Sequence, residues 1–428
     1  MKRSSQRVVM AIISLSMLAT VPAISSEPSD LSAFTHPTTV SNVAPGERPR
    51  ISKDAKGTLH VVFESKGQGA NNQEVFYTQS SDGGHVWTSP VNVSNSPVAT
   101  SHPDVAIESG GAIDVVWSDT KAGEKSPDIF FACSNDKGKT WSTPVDISNT
   151  PGLSSDPALA VGPDDVIHVV WTDTSKGEKN KDIYYVSSSD HGKTWAKDPL
   201  LPAEDISNTP GASTEPAIAV DTSSVPHAVW LDASVGETHP DIFYVRKENG
   251  TWTKPTNVSH SPRMSDHPSV GCGADGKVYV TWLDYSQKPT APDIWCAMCG
   301  KTGHFEKPIN ISNTPGVSGE PVVTSDSTGR VAFVWTDTSK TFKKSDIFSR
   351  ISNDGGNDFT TVMDLSNTPG VSKHPDVVIS DNKIFVIWEE VEAGKSLLKI
   401  ASLGMDNLAT GPATEVNPTI RGKTGNSR

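Results

Sequence analysis

A polar residue stands directly before each of seven prolines that recur along the chain at intervals of 52 to 59 residues. Cationic, acidic and imidazole side chains all occur in this set, so it could donate and accept hydrogen bonds or transfer protons. The seven residues are Arg48, His102, Asp156, Glu215, His267, Glu320 and His374. The residues around each proline keep one pattern while this position varies, which is typical of a ligand site on a repeated scaffold. A solvent-exposed strand start that tolerates any polar residue would vary in the same way.

A carboxylate also recurs two residues after a repeated tryptophan. The members of this second set are Asp119, Asp173, Asp232, Asp284, Asp337 and Glu390. An Asp at a strand end commonly closes a turn by accepting a backbone N–H, and the regular recurrence favours this scaffold role over cation binding. The three histidines of the first set are zinc ligand types, but they come from different units with no short spacing between them. The sequence therefore predicts no metal site and no cofactor.

The elements that position these residues are short strands. The prolines divide the chain into seven units, starting near residues 49, 103, 157, 216, 268, 321 and 375. The second unit contains four apolar segments, at 104–108, 113–117, 128–133 and 141–147, each bounded by Gly, Pro, Asn or Asp. Four strands per repeat is the composition of a propeller blade. We therefore predict an all-β fold, a seven-bladed β-propeller of four-stranded antiparallel blades.

The two ends of the chain indicate how the ring closes. Residues 34–42 repeat the form of the fourth strand at 141–149, yet they precede the first unit, and the seventh unit loses the pattern after its third strand. We expect the N-terminal strand to pair with the last blade and remove its exposed edge. The predicted propeller spans 27–409, and the predicted disordered tail spans 410–428.

The N-terminal segment 1–26 has the features of a secretory signal peptide. It contains Lys2, Arg3 and Arg7, then a short apolar run and small residues suited to cleavage. No later segment is apolar for long enough to anchor the chain in a membrane, so we expect a secreted or periplasmic protein with no membrane insertion after cleavage. The net charge of −13 excludes nucleic acid as an expected partner.

The four cysteines fall in predicted strands, with Cys133 in the second unit and the other three in the fifth. An oxidising compartment permits disulfides, but Cys272 and Cys296 are about 9 to 10 Å apart by ladder spacing, which is too far for a bridge. Cys296 and Cys299 could pair only if the chain turned between them. We interpret the cysteines as small buried strand residues.

A turn motif separates the third and fourth strands of several units. Its clearest form is Ser134-Asn-Asp136-Lys-Gly138-Lys-Thr140-Trp141. It resembles the Asp-box, or BNR repeat, of the sialidase superfamily, whose fold is a β-propeller. The Asp of the motif is expected to accept turn N–H groups, the Gly to adopt positive φ, and the aromatic residue to pack between blades. We assign this structural role to Asp82, Asp136, Asp190 and Asp354.

The sialidase resemblance implies three Arg for a substrate carboxylate, a Tyr nucleophile activated by Glu, and an Asp acid. The sequence departs from this set: Lys66 stands where the motif has Arg, and Asn71 and Asn72 stand where the Asp would follow. An amide cannot donate the catalytic proton. Seven units also differ from the six blades of the sialidase domain. We therefore predict no catalytic residues.

These observations favour a secreted binding module, with an extracellular glycan or glycoconjugate as its partner, over an enzyme. The predicted site is the channel mouth, formed by the seven residues before the prolines, with Arg263 and Tyr285 on neighbouring loops as one wall. One alternative is an exo-acting glycoside hydrolase of the sialidase type. The other is a scaffold that binds proteins of the cell envelope.

Overall fold

The computed structural model describes residues 35–40, 45–66, 72–120, 126–177, 180–195, 203–236, 238–406 and 408–412. The predicted signal peptide and most of the predicted tail lie outside these residues. Within the described ranges, no helix is both long and apolar enough to span a bilayer.

The chain forms seven antiparallel blades, as predicted. The N-terminal strand is β1 (Thr38–Thr39). Blade 1 contains β2 (Gly46–Lys53), β3 (Leu59–Lys66), β4 (Gln73–Ser80) and β5 (Val91–Asn92). Blade 2 contains β6 (Thr100–Ile107), β7 (Ile113–Asp119), β8 (Asp128–Ser134) and β9 (Val145–Asp146). Blade 3 contains β10 (Ser154–Val161), β11 (Ile167–Asp173), β12 (Asp182–Ser188) and β13 (Glu204–Asp205).

The other four blades follow the same order from the channel outward. Blade 4 contains β14 (Ser213–Val220), β15 (Pro226–Asp232), β16 (Asp241–Glu248), β17 (Thr251–Trp252) and β18 (Thr256–Asn257). Blade 5 contains β19 (Ser265–Cys272), β20 (Val278–Asp284), β21 (Asp293–Cys299) and β22 (Ile309–Asn310), with a short 3-10 helix at Ala274–Gly276. Blade 6 contains β23 (Ser318–Ser325), β24 (Val331–Asp337), β25 (Asp346–Ser352), β26 (Asp358–Phe359) and β27 (Met363–Asp364). Blade 7 contains β28 (Val371–Ser380), β29 (Lys383–Glu392) and β30 (Lys395–Gly404), and β31 (Gly411–Pro412) ends the described chain.

The second strand of each blade forms the buried core. All seven residues of β11 are buried, as the continuous β-branched run predicts for a strand covered on both faces. At its end, Trp171 donates its indole N–H to Asp173 across 3.0 Å, and Asp173 accepts the N–H of Ser175 at 2.7 Å. The recurrent carboxylate therefore closes a turn, which confirms its scaffold role.

The Asp-box of blade 2 has the predicted contacts. Asp136 accepts the N–H groups of Lys139 and Thr140 at 3.1 and 2.9 Å, and hydrogen bonds, first that of the Thr140 hydroxyl, lower its pKa to about 2. Gly138 has φ of 72°, and a Cβ there would lie 2.1 Å from the ring of Tyr77 in blade 1. The ring of Trp141 packs edge-on against Tyr77 with 5.3 Å between centroids. The motif thus joins adjacent blades.

The fourth strands are shorter than the sequence predicts. The predicted strand at 141–147 is reduced to Val145–Asp146. Trp141 lies against the neighbouring blade instead of extending the ladder, and Pro144 has no N–H to donate to the third strand.

The N-terminal strand closes the ring, as predicted. Thr38 and Thr39 pair with Ile400 and Lys399 of β30, so β1 is the fourth strand of blade 7. Val40 follows with only 1% of its surface exposed, and its N–H donates to Leu398 at 2.9 Å. At the other end, Gly411–Pro412 of the predicted tail pairs with Asp358–Phe359 of blade 6. The remainder of the tail lies outside the described residues.

At one buried position of the second strand, blade 2 has an acid where blade 3 has a histidine. In blade 3 this position is His168, whose Nδ1 lies 2.8 Å from the Tyr185 hydroxyl, and burial lowers the pKa of the histidine to about 4. In blade 2 it is Asp114, which is fully buried and has no hydrogen-bond partner for either oxygen among the described residues. Burial, together with the adjacent carboxylate of Glu108, raises the pKa of Asp114 to about 8. Asp114 is therefore protonated in the folded protein at neutral pH.

Removing the chain through Val40 should destabilise blade 7. The deletion exposes the edge of β30 and removes a buried Val side chain that contributes about 2 kcal/mol. We expect a lower melting temperature and a tendency to aggregate, measured by thermal unfolding and size-exclusion chromatography. A shorter deletion that ends before Thr35 is the control. Equal melting temperatures of the two deletions would contradict this closure.

Replacing Asp114 by Asn should flatten the pH dependence of stability. The pKa of Asp114 rises from 3.8 to about 8 on folding, so between these values the folded chain binds more protons than the unfolded chain. Its contribution to stability therefore falls as the pH rises from 4 to 8. We expect D114N to have the higher melting temperature at pH 8 and a smaller slope from pH 5 to 8. Asp136→Asn, whose group titrates below this window, should keep the native slope, and parallel curves for D114N and the native protein would disprove the assignment.

Candidate functional site

A cavity of about 760 Å³ occupies the central channel. First strands of all seven blades line it, and each contributes its residue before the proline. These residues, Arg48, His102, Asp156, Glu215, His267, Glu320 and His374, are called the channel ring below. The structure brings together residues that are more than 50 positions apart in sequence. A smaller cavity of about 360 Å³ lies at the opposite ends of the first strands, around the hairpins to the second strands.

Every residue of the channel ring has a left-handed backbone, with φ between 47° and 55°. In blade 1, Glu47 pairs with Glu64 and Arg50 with Val62, so that Arg48 and Pro49 together oppose a single residue. This is a β-bulge, and the same register shift occurs in all seven first strands. Positive φ is unfavourable for a non-glycine residue, and each such position costs about 1 to 3 kcal/mol. The strain recurs at the seven positions that vary, which points to a role outside the scaffold.

Contacts along the ring join blades 1, 2 and 3. Arg48 donates from Nη1 to Nε2 of His102 across 2.7 Å, and the same imidazole nitrogen lies 3.4 Å from Asp156. The backbone N–H of His102 donates to Glu64 at 2.8 Å. Burial is the main cause that lowers the pKa of His102 and raises the pKa of Glu64. Because Arg48 supplies only donors, His102 acts as an acceptor at Nε2.

The opposite side of the ring carries a cationic histidine. His267 Nδ1 lies 3.1 Å from Asp266 and 3.9 Å from Glu215. The Asp266 hydrogen bond, with the Glu215 charge, raises the pKa of His267 to about 9, so this imidazole is protonated at neutral pH. In blade 7, His374 lies 3.5 Å from Glu320 through Nε2 and donates its backbone N–H to that carboxylate at 2.7 Å.

A second level of residues lies two positions after the ring, and the sequence analysis missed it. Blades 7, 1 and 2 contribute Asp376, Arg50 and Asp104, whereas blades 3 and 4 contribute alanines. Asp376 accepts the N–H of Ile51 at 2.8 Å, and Asp104 accepts that of Leu159 at 2.8 Å, each in the next blade. Burial raises the pKa of Asp104 to about 6, opposed by the charge of Arg50. In the sequence, the signal for this second level was a charged residue directly after a repeat proline.

The channel offers hydrogen-bond partners from several directions. Cationic groups lie in blades 1 and 5, and carboxylates lie between them in blades 3, 4 and 6. The described lining contains three imidazole rings but no Phe, Tyr or Trp, and its apolar surface comes from the repeat prolines and from the aliphatic residues that follow them. No group of three His, Cys, Asp or Glu within the described ranges is placed to hold a metal ion. The site can thus recognise a polar, uncharged or weakly charged molecule by directional hydrogen bonds.

Several residues singled out in the sequence lie outside this cavity. Arg263 and Tyr285 do not line it: Arg263 is exposed, and the Tyr285 ring packs partly buried against the core between blades 5 and 6. Their part in ligand binding stays a prediction. Asn72 donates its amide to the backbone of Val98 at 2.7 Å, which is a structural contact, and Asn71 lies outside the described residues. Lys66 is exposed at the end of β3.

The four cysteines are free thiols within strands. Cys296 and Cys299 belong to the single strand β21 and are buried, and burial raises the pKa of Cys299 to about 11. Burial therefore keeps both thiols protonated, and the protonated thiol is the poor nucleophile of the two forms.

Comparison with known proteins identifies the family. Residues 111–387 match the model of the BNR repeat-like domain. A comparison with curated protein sequences gives no match.

Solved structures share the fold at low sequence identity. An ulvan lyase bound to -[GlcA(1-4)Rha3S]- superposes with a TM-score of 0.55 at 10% identity, covering 89% of this chain and 97% of that one. An α-L-arabinanase of Penicillium chrysogenum complexed with arabinobiose gives 0.52 at 11%, with 88% and 99% covered. A protein of unknown function from Dyadobacter fermentans gives 0.54 at 14%, with 87% and 99% covered. At these identities the likeness shows the fold alone. The family match extends over more than half of the sequence, and the chain belongs to the BNR repeat-like domain family.

Proposed function

We propose that this protein is a secreted module that binds a glycan in its central channel, through the channel ring. The observation that carries the proposal is the ring itself. Seven different polar side chains, each on a strained left-handed bulge, converge on one cavity of about 760 Å³. Strain that persists at varying positions of a regular scaffold is typical of a binding site.

The chemistry of the cavity suits a polyhydroxyl ligand. Sugar hydroxyls both donate and accept, and the ring contains donors such as Arg48 and His267 as well as acceptors such as Glu215 and Glu320. The volume lies in the range of small-molecule sites. Proteins of similar fold act on polysaccharides or were solved with bound sugars, which supports a glycan-related function in general terms.

Two observations favour binding over hydrolysis. Among the described residues, no tyrosine lines the cavity to act as a sialidase-type nucleophile. The one channel carboxyl with a pKa raised to about 6, Asp104, accepts the backbone N–H groups of Leu159 and Val105 at 2.8 and 2.9 Å. These bonds hold Asp104 as an acceptor between blades and away from the role of a proton donor to a leaving group. Export rests on the N-terminal segment, with its basic start and apolar run.

Removing ring side chains should weaken glycan binding without unfolding the protein. The native protein is applied to a glycan array that includes arabinan and uronic-acid-containing fragments, and Arg48→Ala and His267→Ala are compared with it. Each loses hydrogen bonds to the ligand, so we expect affinity to fall about tenfold or more at an unchanged melting temperature. Asp136→Ala is the matched control: it should lower the melting temperature and leave affinity unchanged.

A hydrolase panel tests the alternative activity on the same samples. Release of reducing sugar that is lost in Asp104→Asn would establish the glycosidase instead. Binding that is indifferent to both ring substitutions would locate the site elsewhere, and no retention of any glycan would reject the proposed function.

A further inference from the structure

Phe342 is in an unfavourable state both in its backbone conformation and in its solvent exposure. It lies in the loop between β24 and β25 of blade 6 with 66% of its surface exposed, and its φ is 55°. A bulky residue rarely adopts left-handed φ, and an exposed aromatic ring gains no packing in return. The loop nevertheless holds it there, because the Phe342 N–H donates to the carbonyl of Thr338 at 2.7 Å.

The repeat shows that the scaffold does not require this residue. The loop between second and third strands has eight residues in blades 2 to 6. Blades 2, 3 and 4 carry Gly-Glu at its fourth and fifth positions, whereas blade 6 carries Thr341-Phe342. Blade 6 has therefore exchanged the Gly-Glu sequence of the repeat for Thr341-Phe342, which places an aromatic residue at a position with left-handed φ.

The loop lies on the same face of the propeller as the channel ring. Thr338 and Val317 exchange hydrogen bonds: the Thr338 N–H donates to the Val317 carbonyl at 3.1 Å, and the Val317 N–H donates to the Thr338 hydroxyl at 2.9 Å. Val317 is itself 44% exposed. It precedes Glu320 of the ring by three residues of nearly extended chain, which is about 10 Å. Phe342 and Val317 are thus two exposed apolar residues on segments that are joined by the hydrogen bonds of Thr338.

Two of the three neighbouring lysines are paired with carboxylates. Lys340 pairs with Asp364 at 3.1 Å, and Lys344 pairs with the buried Asp346 at 3.1 Å. Lys343, directly after Phe342, is exposed. The loop therefore presents an aromatic ring and one ammonium group to solvent, with the exposed Val317 on the adjoining segment.

We infer that Phe342, with Val317, forms an outer subsite that stacks a sugar ring of the glycan held in the channel. The inference rests on the proposed function and adds a preference of the site for longer glycans. The described lining of the channel contains no Phe, Tyr or Trp, and its imidazole rings are engaged with Arg48 or with carboxylates. Phe342 supplies a free aromatic face outside the ring, on a loop that is hydrogen-bonded to Val317, and such a face can pack against the apolar C–H face of a sugar. The ligand is therefore an oligosaccharide or a chain end, and a single sugar would occupy the ring alone.

The test compares Phe342 variants on glycan arrays that contain one to six units of each series. We expect Phe342→Gly to bind the shortest members of the bound series normally and the longer members roughly three- to tenfold more weakly. Glycine accepts φ of 55°, so the melting temperature should be unchanged or higher, which separates the loss of the ring from unfolding. Phe342→Trp should restore the affinity for longer members. Val235→Ala, at an apolar residue 61% exposed on the equivalent loop of blade 4, is the matched control and should change nothing.

Each other outcome rejects a definite part of the inference. If the native protein binds glycans and Phe342→Gly binds all lengths equally well, the outer subsite is wrong while the channel site stands. A pull-down in which Phe342→Gly loses a protein partner but no glycan affinity would overturn the subsite in favour of protein docking. If the native protein binds no glycan of any length, the proposed function and the subsite are both rejected.

Discussion

A buried carboxylate at the end of the second strand, present in blades 2 to 7, is the contact on which the site depends. In blade 3, Asp173 accepts the indole N–H of Trp171 at 3.0 Å and the hydroxyls of Thr150 and Ser154 at 2.7 and 2.9 Å. One carboxylate therefore joins the core strand to the loop that leads into the first strand. Ser154 begins that strand two residues before the ring residue Asp156, so the buried contact sets the position from which the ring projects. An unpaired carboxylate here would be costly, which keeps the arrangement constant from blade to blade.

Blade 1 departs from this arrangement, because its carboxylate contacts the channel ring instead of closing the turn. Phe63 replaces the tryptophan, and Ser65 stands at the carboxylate position and donates to the carbonyl of Pro45 at 2.7 Å. The carboxylate appears one residue earlier, as Glu64, and accepts the N–H of His102 in the channel. A scaffold contact has been exchanged for a contact to the ring. The deviation lies in the same blade as Arg48, which donates to His102 in the channel.

The first strand of each blade thus has one end that is fixed by packing and one end whose ring residue varies between blades. Beyond the second level, the strand packs between blades with small or apolar residues, while the bulge turns one side chain per blade out of the sheet and into the channel. Because the ring residues do not contribute to blade packing, their charges can differ, as between Arg48 and Asp156. The rim loop of blade 6 shows the same division, since Phe342 departs from the Gly-Glu of the repeat without altering the loop length.

The sequence by itself determined the features that depend on local pattern. The repeat period established seven blades, the alternation of apolar residues located their strands, the Asp-box turns followed from Asp136 and its equivalents, and the orphan segment before the first unit indicated closure by Thr38–Thr39. The ring positions also followed, since the proline marks them. The tertiary structure decided what depends on the angle between neighbouring blades. The Arg48–His102 contact and the level of Arg50, Asp104 and Asp376 join residues from separate units, and the left-handed bulges direct the ring residues into one common cavity. No local periodicity encodes such contacts, because they arise only when seven twisted sheets close around one axis.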